Sequence, residues 1–210
     1  MNDMTELFLV DDEPDVTSSL HWLLQTVGRK ATAFNSPQEF LQYFATFSGP
    51  CCVVLDLRMP GLTGIEVLER IVGSRRDTPV VFLTGHGDVP SAVRAMKLGA
   101  YDFLVKPFNP QGFLECINRA CRHALESHQQ ISRKKGNREI LSKLSTREHD
   151  IFDRIITGMS SKEIGRTLEI SPKTVDVHRA SIMKKIGVST YRELMRKFQV
   201  TSTDAIDDLG

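Results

Sequence analysis

Four short apolar runs in this chain each deliver a polar, chemically competent side chain at their carboxyl end. "LFLVDD" ends in Asp11 and Asp12, "CCVVLD" in Asp56, "VVFLT" in Thr84 and "FLVK" in Lys106. A carboxylate set beside residues this apolar costs several kcal/mol unless something compensates it. Three carboxylates converging on one crevice also repel one another, and a hard cation is the natural compensation. Mg²⁺ takes oxygen ligands, keeps several waters and commonly pairs carboxylates with phosphate. Thr84 offers a hydrogen-bond donor, and Lys106 a point charge suited to a phosphoryl oxygen. Together these groups stabilise a phosphoryl group in transfer, with Asp56 as the nucleophile that becomes an acyl phosphate. A lone Asp at a strand end is more often a cap or a turn residue. The functional reading rests on all of these positions falling in register with one repeat.

That repeat is β-α. Residues 7–10, 51–55, 80–83 and 103–105 read as buried parallel strands, with a weaker strand at 30–34. Helical patterns lie between them near 15–26, 37–47, 64–72, 89–98 and 110–125. Ser36 offers one of these an N-cap, with Pro37 at the first helical position and Glu39 at the third. Five such units predict an α/β domain with a five-stranded, doubly wound, flavodoxin-like parallel sheet. In such a sheet ligands bind at the carboxyl ends of the strands, where the strand order reverses.

Composition divides the chain in two. Residues 1–123 hold 11 Lys and Arg against 14 Asp and Glu, a net charge of −3; residues 124–200 hold 16 against 9, a net of +7; the last ten hold three acids and no bases. A basic module behind an acidic one points to a polyanion partner for the second half. No run approaches the ~18 apolar residues of a membrane span, and the first residues do not read as a signal peptide. The expected location is the cytoplasm, with no membrane partner. Cys51, Cys52, Cys116 and Cys121 show no metal-binding spacing and read as reduced core residues.

Beyond the polar, basic stretch "SHQQISRKKGNR" no strand signal appears. Capping boxes at Ser145/Glu148 and Ser160/Glu163, a Ser171 cap before Pro172, and a last helix around 190–198 predict a small all-α, four-helix domain. "SSKEIGRTLEISPKTVDVHRASIMKKIGV" has the grammar of a helix-turn-helix. Val175, His178, Ile182 and Ile186 recur at helical spacing, so they face the core. The opposite stripe carries Lys173, Asp176, Val177, Ala180 and Lys184. Val177 and Ala180 suit thymine methyls, and Asp176 suits cytosine N4. Lys162, Lys173, Arg179, Lys184 and Lys185 are expected to neutralise phosphates, and Thr174 to join the DNA-facing set. The expected domains are 1–123 (phosphoacceptor), 124–141 (linker with an extended helix), 142–200 (helix-turn-helix) and 201–210 (acidic disordered tail).

"FLVDDEP", "VVLDLRMPG.TG", "VVFLTGHGDVPSAVRAMKLGAYDFLVKPF" and the C-terminal helices together resemble a two-component response regulator of the FixJ/NarL type, with a LuxR-type DNA-binding domain. The resemblance implies that Asp56 accepts phosphate from a sensor histidine kinase. It implies Mg²⁺ held by Asp12, Asp56 and the backbone carbonyl of Arg58, with Asp11 acting through water. Thr84 and Lys106 match the family's switch hydroxyl and its lysine, Phe103 its switch aromatic, and Lys106–Pro107 a bond that is cis in the family. Arg58 and His86 fall where the family tunes acyl-phosphate lifetime; neither is a carboxylate or amide that orients water, so slow self-dephosphorylation is expected. Phosphorylation is expected to pair two chains into a homodimer on double-stranded promoter DNA and to engage RNA polymerase, with activation the expected sign. The chain departs from the LuxR-type pattern at Ser161, where Asn is frequent, and at Gly165, where Ala is common. Asp176 replaces the Lys of many NarL-like members.

Two rivals fail on particular residues. An aspartate-nucleophile phosphatase needs a second Asp two residues after the nucleophile as acid and base; Arg58 stands there, so the protein is not expected to be an enzyme. A LuxR-type autoinducer receptor would lack the set Asp11, Asp12, Asp56 and Lys106.

Overall fold

The computed structural model describes residues 5–75, 77–85 and 89–198. The chain divides into two compact units, Met1–Ile131 and Ser132–Gly210.

The first unit is built on β1 (Glu6–Val10), β2 (Thr32–Phe34), β3 (Cys51–Leu55), β4 (Val80–Thr84) and β5 (Asp102–Val105). All neighbours pair in parallel, in the order β2-β1-β3-β4-β5. Side chains alternate across a pleated strand, so each central strand feeds two cores. Cys51, Val53 and Leu55 of β3 pack with Phe40 and Phe44 of α2 (Pro37–Thr46), Val67, Leu68 and Ile71 of α3 (Gly64–Ser74) and Ala95 of α4 (Val89–Lys97). Cys52 and Val54 pack on the other face with Leu20 and Leu24 of α1 (Pro14–Gln25) and Phe113, Cys116 and Ile117 of α5 (Pro110–Leu141). All four cysteines are free thiols and buried, and burial pushes the Cys51 thiol upward. The doubly wound sheet read from the sequence is the observed one. The weak strand at 30–34 is a real strand, three residues long at the sheet edge.

Local chemistry sets the helix ends. Ser36 Oγ accepts from the Glu39 amide. Thr63 and Glu66 form a full capping box at α3, which the sequence reading did not pick out. At the amino end of β4, buried Asp77 accepts from Arg75, and its Oδ2 lies 3.0 Å from His128 Nδ1 on α5. Arg75 also donates to the carbonyls of Phe47 and Gly49. These bonds hold Asp77 below the usual carboxylate range against the opposing effect of burial. Among the described residues no helix is long and apolar enough to cross a membrane.

The second unit holds α6 (Thr146–Ile156), α7 (Ser161–Thr167), α8 (Pro172–Ile186) and α9 (Tyr191–Lys197). Its core gathers Ile151, Phe152 and Ile155 of α6, Ile164 of α7, Val175, Ile182 and Ile186 of α8, and Leu194 of α9. Capping boxes close α6, α7 and α9 at Ser145/Glu148, Ser160/Glu163 and Thr190/Glu193. Ser171 caps α8 with Pro172 at its first turn, and Gly187 ends it in the left-handed region, φ +75°.

Glu148 does more than cap. One oxygen accepts from Ser181 Oγ at 2.7 Å, and the other from Lys185 Nζ at 2.6 Å and the Ser145 amide at 2.7 Å. Led by the lysine, these donors hold its carboxyl down at about 2. The start of α6 is thereby tied to two successive turns of α8. A carboxyl depressed in the fold stabilises it above its unfolded pKa of about 4.5, and that contribution is lost as pH falls toward 2. In the full chain, α8 amide protection, corrected for intrinsic exchange, should therefore fall as pH drops below about 4.5. Lys185→Met should cost the second unit about 2 kcal/mol at neutral pH and flatten that acid dependence. A variant with wild-type protection at both pH values would remove Glu148 as the link.

Candidate phosphoacceptor and DNA-binding sites

β1 has β2 on one side and β3 on the other, so the strand order reverses between β1 and β3. The crevice opens beyond their carboxyl ends, where the chain places Asp11, Asp12 and Asp56. The Asp56 amide donates to the Val10 carbonyl at 2.9 Å, extending the β1–β3 ladder by one bond into the crevice. Asp11 is fixed from three directions. Its amide donates to Phe34, its Oδ1 accepts from the Glu13 amide, and its carbonyl accepts from Asn35 Nδ2. Asn35, which directly follows β2, was not legible as a site residue; its only sequence signal was an Asn closing a weak strand.

The carboxyl groups are held in deficit of water. Asp11 is 4% exposed, Asp56 8% and Thr84 1%. Lys106 Nζ lies 2.9 Å from Asp11 Oδ2 and 3.8 Å from Asp56 Oδ1. The Lys106 amide donates to the Thr84 carbonyl, so β4 sets the base of the lysine, and the Lys106–Pro107 bond is cis. Asp56 Oδ2 accepts from the Arg58 amide at 2.6 Å. Burial pushes the Asp56 carboxyl above the ordinary range. The Asp11 charge adds to that, while the Arg58 amide, Lys106 and the Thr84 hydroxyl oppose it. Gly64 closes the floor: a Cβ there would run into the Asp56 carbonyl oxygen and come within 2.8 Å of the Phe82 ring. Gly64 belongs to the "PG.TG" run, yet only the packing reveals why the position must lack a side chain.

Asp12 is half-buried and the Arg58 side chain is exposed. Phe103 is half-buried, its ring 5.7 Å from that of Phe82. His86 lies outside the described residues. Among the described residues no three His, Cys, Asp or Glu side chains form a ready-made metal cage. Mg²⁺ does not require one, because it is usually held by one or two carboxylates and completes its shell with water and phosphate oxygens. An all-oxygen donor set whose members repel one another suits that ion.

In the second unit the turn between α7 and α8 places Glu169 at φ +54°, and a Cβ on Gly165 would come within 2.7 Å of the Ile170 carbonyl. Val175, Ile182 and Ile186 are buried and His178 is half-buried. Lys162, Lys173, Thr174, Asp176, Ala180 and Lys184 are exposed, and Val177 is 65% exposed. Thr174 bonds the Ser171 cap through both its amide and its hydroxyl. Two of the expected phosphate contacts already have partners: Lys185 reaches Glu148, and the Arg179 guanidinium lies 5.8 Å from the centre of the Tyr191 ring.

The family model described as "Response regulator receiver domain" matches residues 7–118. The model described as "Bacterial regulatory proteins, luxR family" matches residues 142–198. The chain belongs to the two-component response regulators. This response regulator is 40% identical to the transcriptional regulatory protein FixJ of Bradyrhizobium diazoefficiens, over 90% of its own length and 92% of the relative's. It is 35% identical to the transcriptional regulatory protein TdiR of Thauera aromatica, over 97% and 89%. The solved structure of the response regulator StyR superposes with a TM-score of 0.78 at 35% identity, covering 93% of this chain and 98% of that one. The relatives are transcriptional regulators rather than enzymes. The receiver domain implies a histidine kinase partner, and the LuxR-type domain implies DNA binding.

The electrostatics of the receiver crevice yield a stability test. A carboxyl raised in the fold opposes folding once it ionises, so its cost appears as pH rises through its folded pKa. Asp56→Asn should raise the denaturation midpoint at pH 7 in Mg²⁺-free buffer, with the gain shrinking on acidification. An unchanged or lowered midpoint would show that Lys106 and the Arg58 amide already offset burial.

Proposed function

We propose that Asp56 is the phosphoacceptor of this response regulator and that its phosphorylation drives dimerisation and transcriptional control. The observation that carries the reading is the state of one carboxylate. Asp56 Oδ2 is held by the Arg58 amide, while Oδ1 faces Lys106 in a buried crevice shared with Asp11. The Asp56 oxygen attacks the phosphorus of a kinase phosphohistidine. The O–P bond forms as the N–P bond breaks, and the imidazole leaves and takes up a proton. Asp12, Asp56 and the Arg58 carbonyl would hold Mg²⁺, with Asp11 acting through water; bound there, the ion would neutralise charge on the phosphoryl oxygens. Lys106 then turns from Asp11 toward a phosphoryl oxygen, and the Thr84 hydroxyl donates to another.

Removing Lys106 from Asp11 and drawing in Thr84 rearranges the neighbouring end of β4 and β5. Phe103 follows inward, biasing the face of α4, β5 and α5. That face carries uncovered apolar side chains: Val89 is 77% exposed, and Val93, Met96 and Val105 are exposed as well. Exposed apolar side chains on this face suit a second copy of the receiver. Two paired receivers bring two helix-turn-helix domains to a two-fold promoter site, where the dimer engages RNA polymerase and activates transcription. The kinase, the DNA and the polymerase place the protein in the cytoplasm. On this reading the receiver is 1–123, the linker 124–141 and the helix-turn-helix domain 142–200; the tail 201–210 lies outside the described residues.

Asp56→Asn should incorporate no acyl phosphate and remain monomeric by light scattering when given a small phosphodonor and Mg²⁺, whereas the wild type dimerises. A mutant that dimerises as fully as the wild type under phosphodonor would refute the switch. Arg58 sets the second expectation. Its exposed guanidinium can only donate and has no acceptor with which to orient an attacking water. Arg58→Asn should shorten the phosphate lifetime about tenfold, the scale of one well-placed hydrogen bond to that water. An unchanged lifetime would take Arg58 out of the timing.

A further inference from the structure

The exposed charged residues of α8 are basic except at one position. Asp176 lies one helical turn from Lys173 on one side and from Ala180 on the other, with Lys184 a turn further along. A carboxylate set among residues suited to phosphates repels the same polyanion that those residues attract. It does not serve the neighbouring lysines either, because among the described residues no ion pair involves Asp176. Its partner is a neutral hydroxyl: Ser161 Oγ donates to Asp176 Oδ1 at 2.6 Å. That is the length of a strong O–H···O⁻ bond.

Ser161 stands on a rigid base. It is the first residue of α7, directly after the cap Ser160 and within the Ser160/Glu163 capping box. Gly165, one turn on, brings α7 so close to the turn before α8 that a Cβ would meet the Ile170 carbonyl. The serine's single proton is committed to Asp176. Among the described residues nothing donates to the other carboxylate oxygen, Oδ2. A lysine partner would have neutralised the carboxylate, whereas a serine fixes its rotamer and leaves its charge intact.

We propose that Ser161 and Asp176 form a specificity device in which Ser161 aims Asp176 at the exocyclic amine of a cytosine in the major groove. The proposal rests on the reading of α8 as the helix that enters that groove. Chemistry selects the base. A carboxylate only accepts, and guanine and thymine present acceptors that repel it there. Adenine offers an amine, but with the N7 acceptor beside it. Cytosine offers the N4 amine without a neighbouring acceptor on the same base. Val177 and Ala180 border the carboxylate with apolar surface, which suits a thymine methyl at an adjoining step. Ser161 touches no base in this scheme; it is a positioning residue.

The test is selection from a randomised duplex oligonucleotide pool by the full chain, with a small phosphodonor and Mg²⁺ present. Wild type, Asp176→Ala, Ser161→Ala, Ser161→Thr and Lys173→Ala are compared. The wild type should enrich one cytosine per half-site. Asp176→Ala should reduce that preference roughly tenfold and raise affinity for unselected duplex. Ser161→Ala should reduce the preference several-fold, with unchanged melting and unchanged affinity for unselected duplex; Ser161→Thr, which keeps the hydroxyl, should restore it. Lys173→Ala should weaken binding to every sequence alike. A cytosine preference that survives Asp176→Ala, or a Ser161→Ala selection identical to the wild type's, overturns the device while leaving α8 as the reading helix. Wild-type affinity for all duplexes in both the Lys173 and Asp176 variants overturns the reading of α8 itself, and the device with it.

Discussion

The receiver depends on keeping two carboxylates, Asp11 and Asp56, close together in a crevice nearly closed to water. Each would cost several kcal/mol there if left uncompensated. The fold meets that cost only in part, with one ammonium shared between them, one backbone amide for each carboxylate and one hydroxyl. Lys106 is closer to Asp11 than to Asp56, and the Asp56 carboxyl remains raised. The site is therefore assembled and under electrostatic tension before any ligand arrives. On the proposed function a bound cation would relieve that tension, and the phosphoryl oxygens would then compete with Asp11 and Asp56 for Lys106 and Thr84. Most of the surrounding structure keeps the carboxylates from escaping. The β1–β3 ladder extends to the Asp56 amide, Asn35 pins the Asp11 carbonyl, and Gly64 lets α3 close beneath the strand end.

The second domain solves the opposite problem. It is small, its core is built from short helices, and helices of seven residues do not stand alone. Every helix from α6 to α9 starts with a side-chain cap, and three of the four caps are reciprocal boxes. Glu148 extends one of these boxes into a brace, since the carboxylate that caps α6 also receives Ser181 and Lys185. The attitude of α8 is thereby set by polar bonds as well as by the apolar stripe of Val175, Ile182 and Ile186. These bonds hold α8 through Ser181 and Lys185, and Lys173 and Val177 face outward.

What the sequence made legible was periodic or local. The strands carrying Asp11, Asp56, Thr84 and Lys106 announced themselves as apolar runs with a polar end, and the caps at Ser36, Ser145, Ser160 and Ser171 as short patterns. What it hid was contact between residues distant in the chain. Lys185 looked like one more phosphate-binding cation because its helix face is basic, but Glu148, 37 positions away, claims its ammonium. Arg179 reads the same way until Tyr191 comes beneath it. Asn35 and Gly64 act through a backbone carbonyl and through empty space, and neither leaves a periodic trace.

The same distinction separates the two functional surfaces. The receiver crevice holds charges that are only partly satisfied in the fold, and on the proposed function phosphorylation would change which of them are paired. The exposed side of α8 carries groups whose geometry is settled within the fold. The Ser161 hydroxyl donates its hydrogen bond to Asp176, and Thr174 is bonded to its cap. A switch needs a bistable element with a small free-energy gap, whereas a reader needs side chains already ordered before the base arrives. On the proposed function, placing tension in one domain and preorganisation in the other would let phosphorylation govern whether two readers meet on DNA without altering what each one reads.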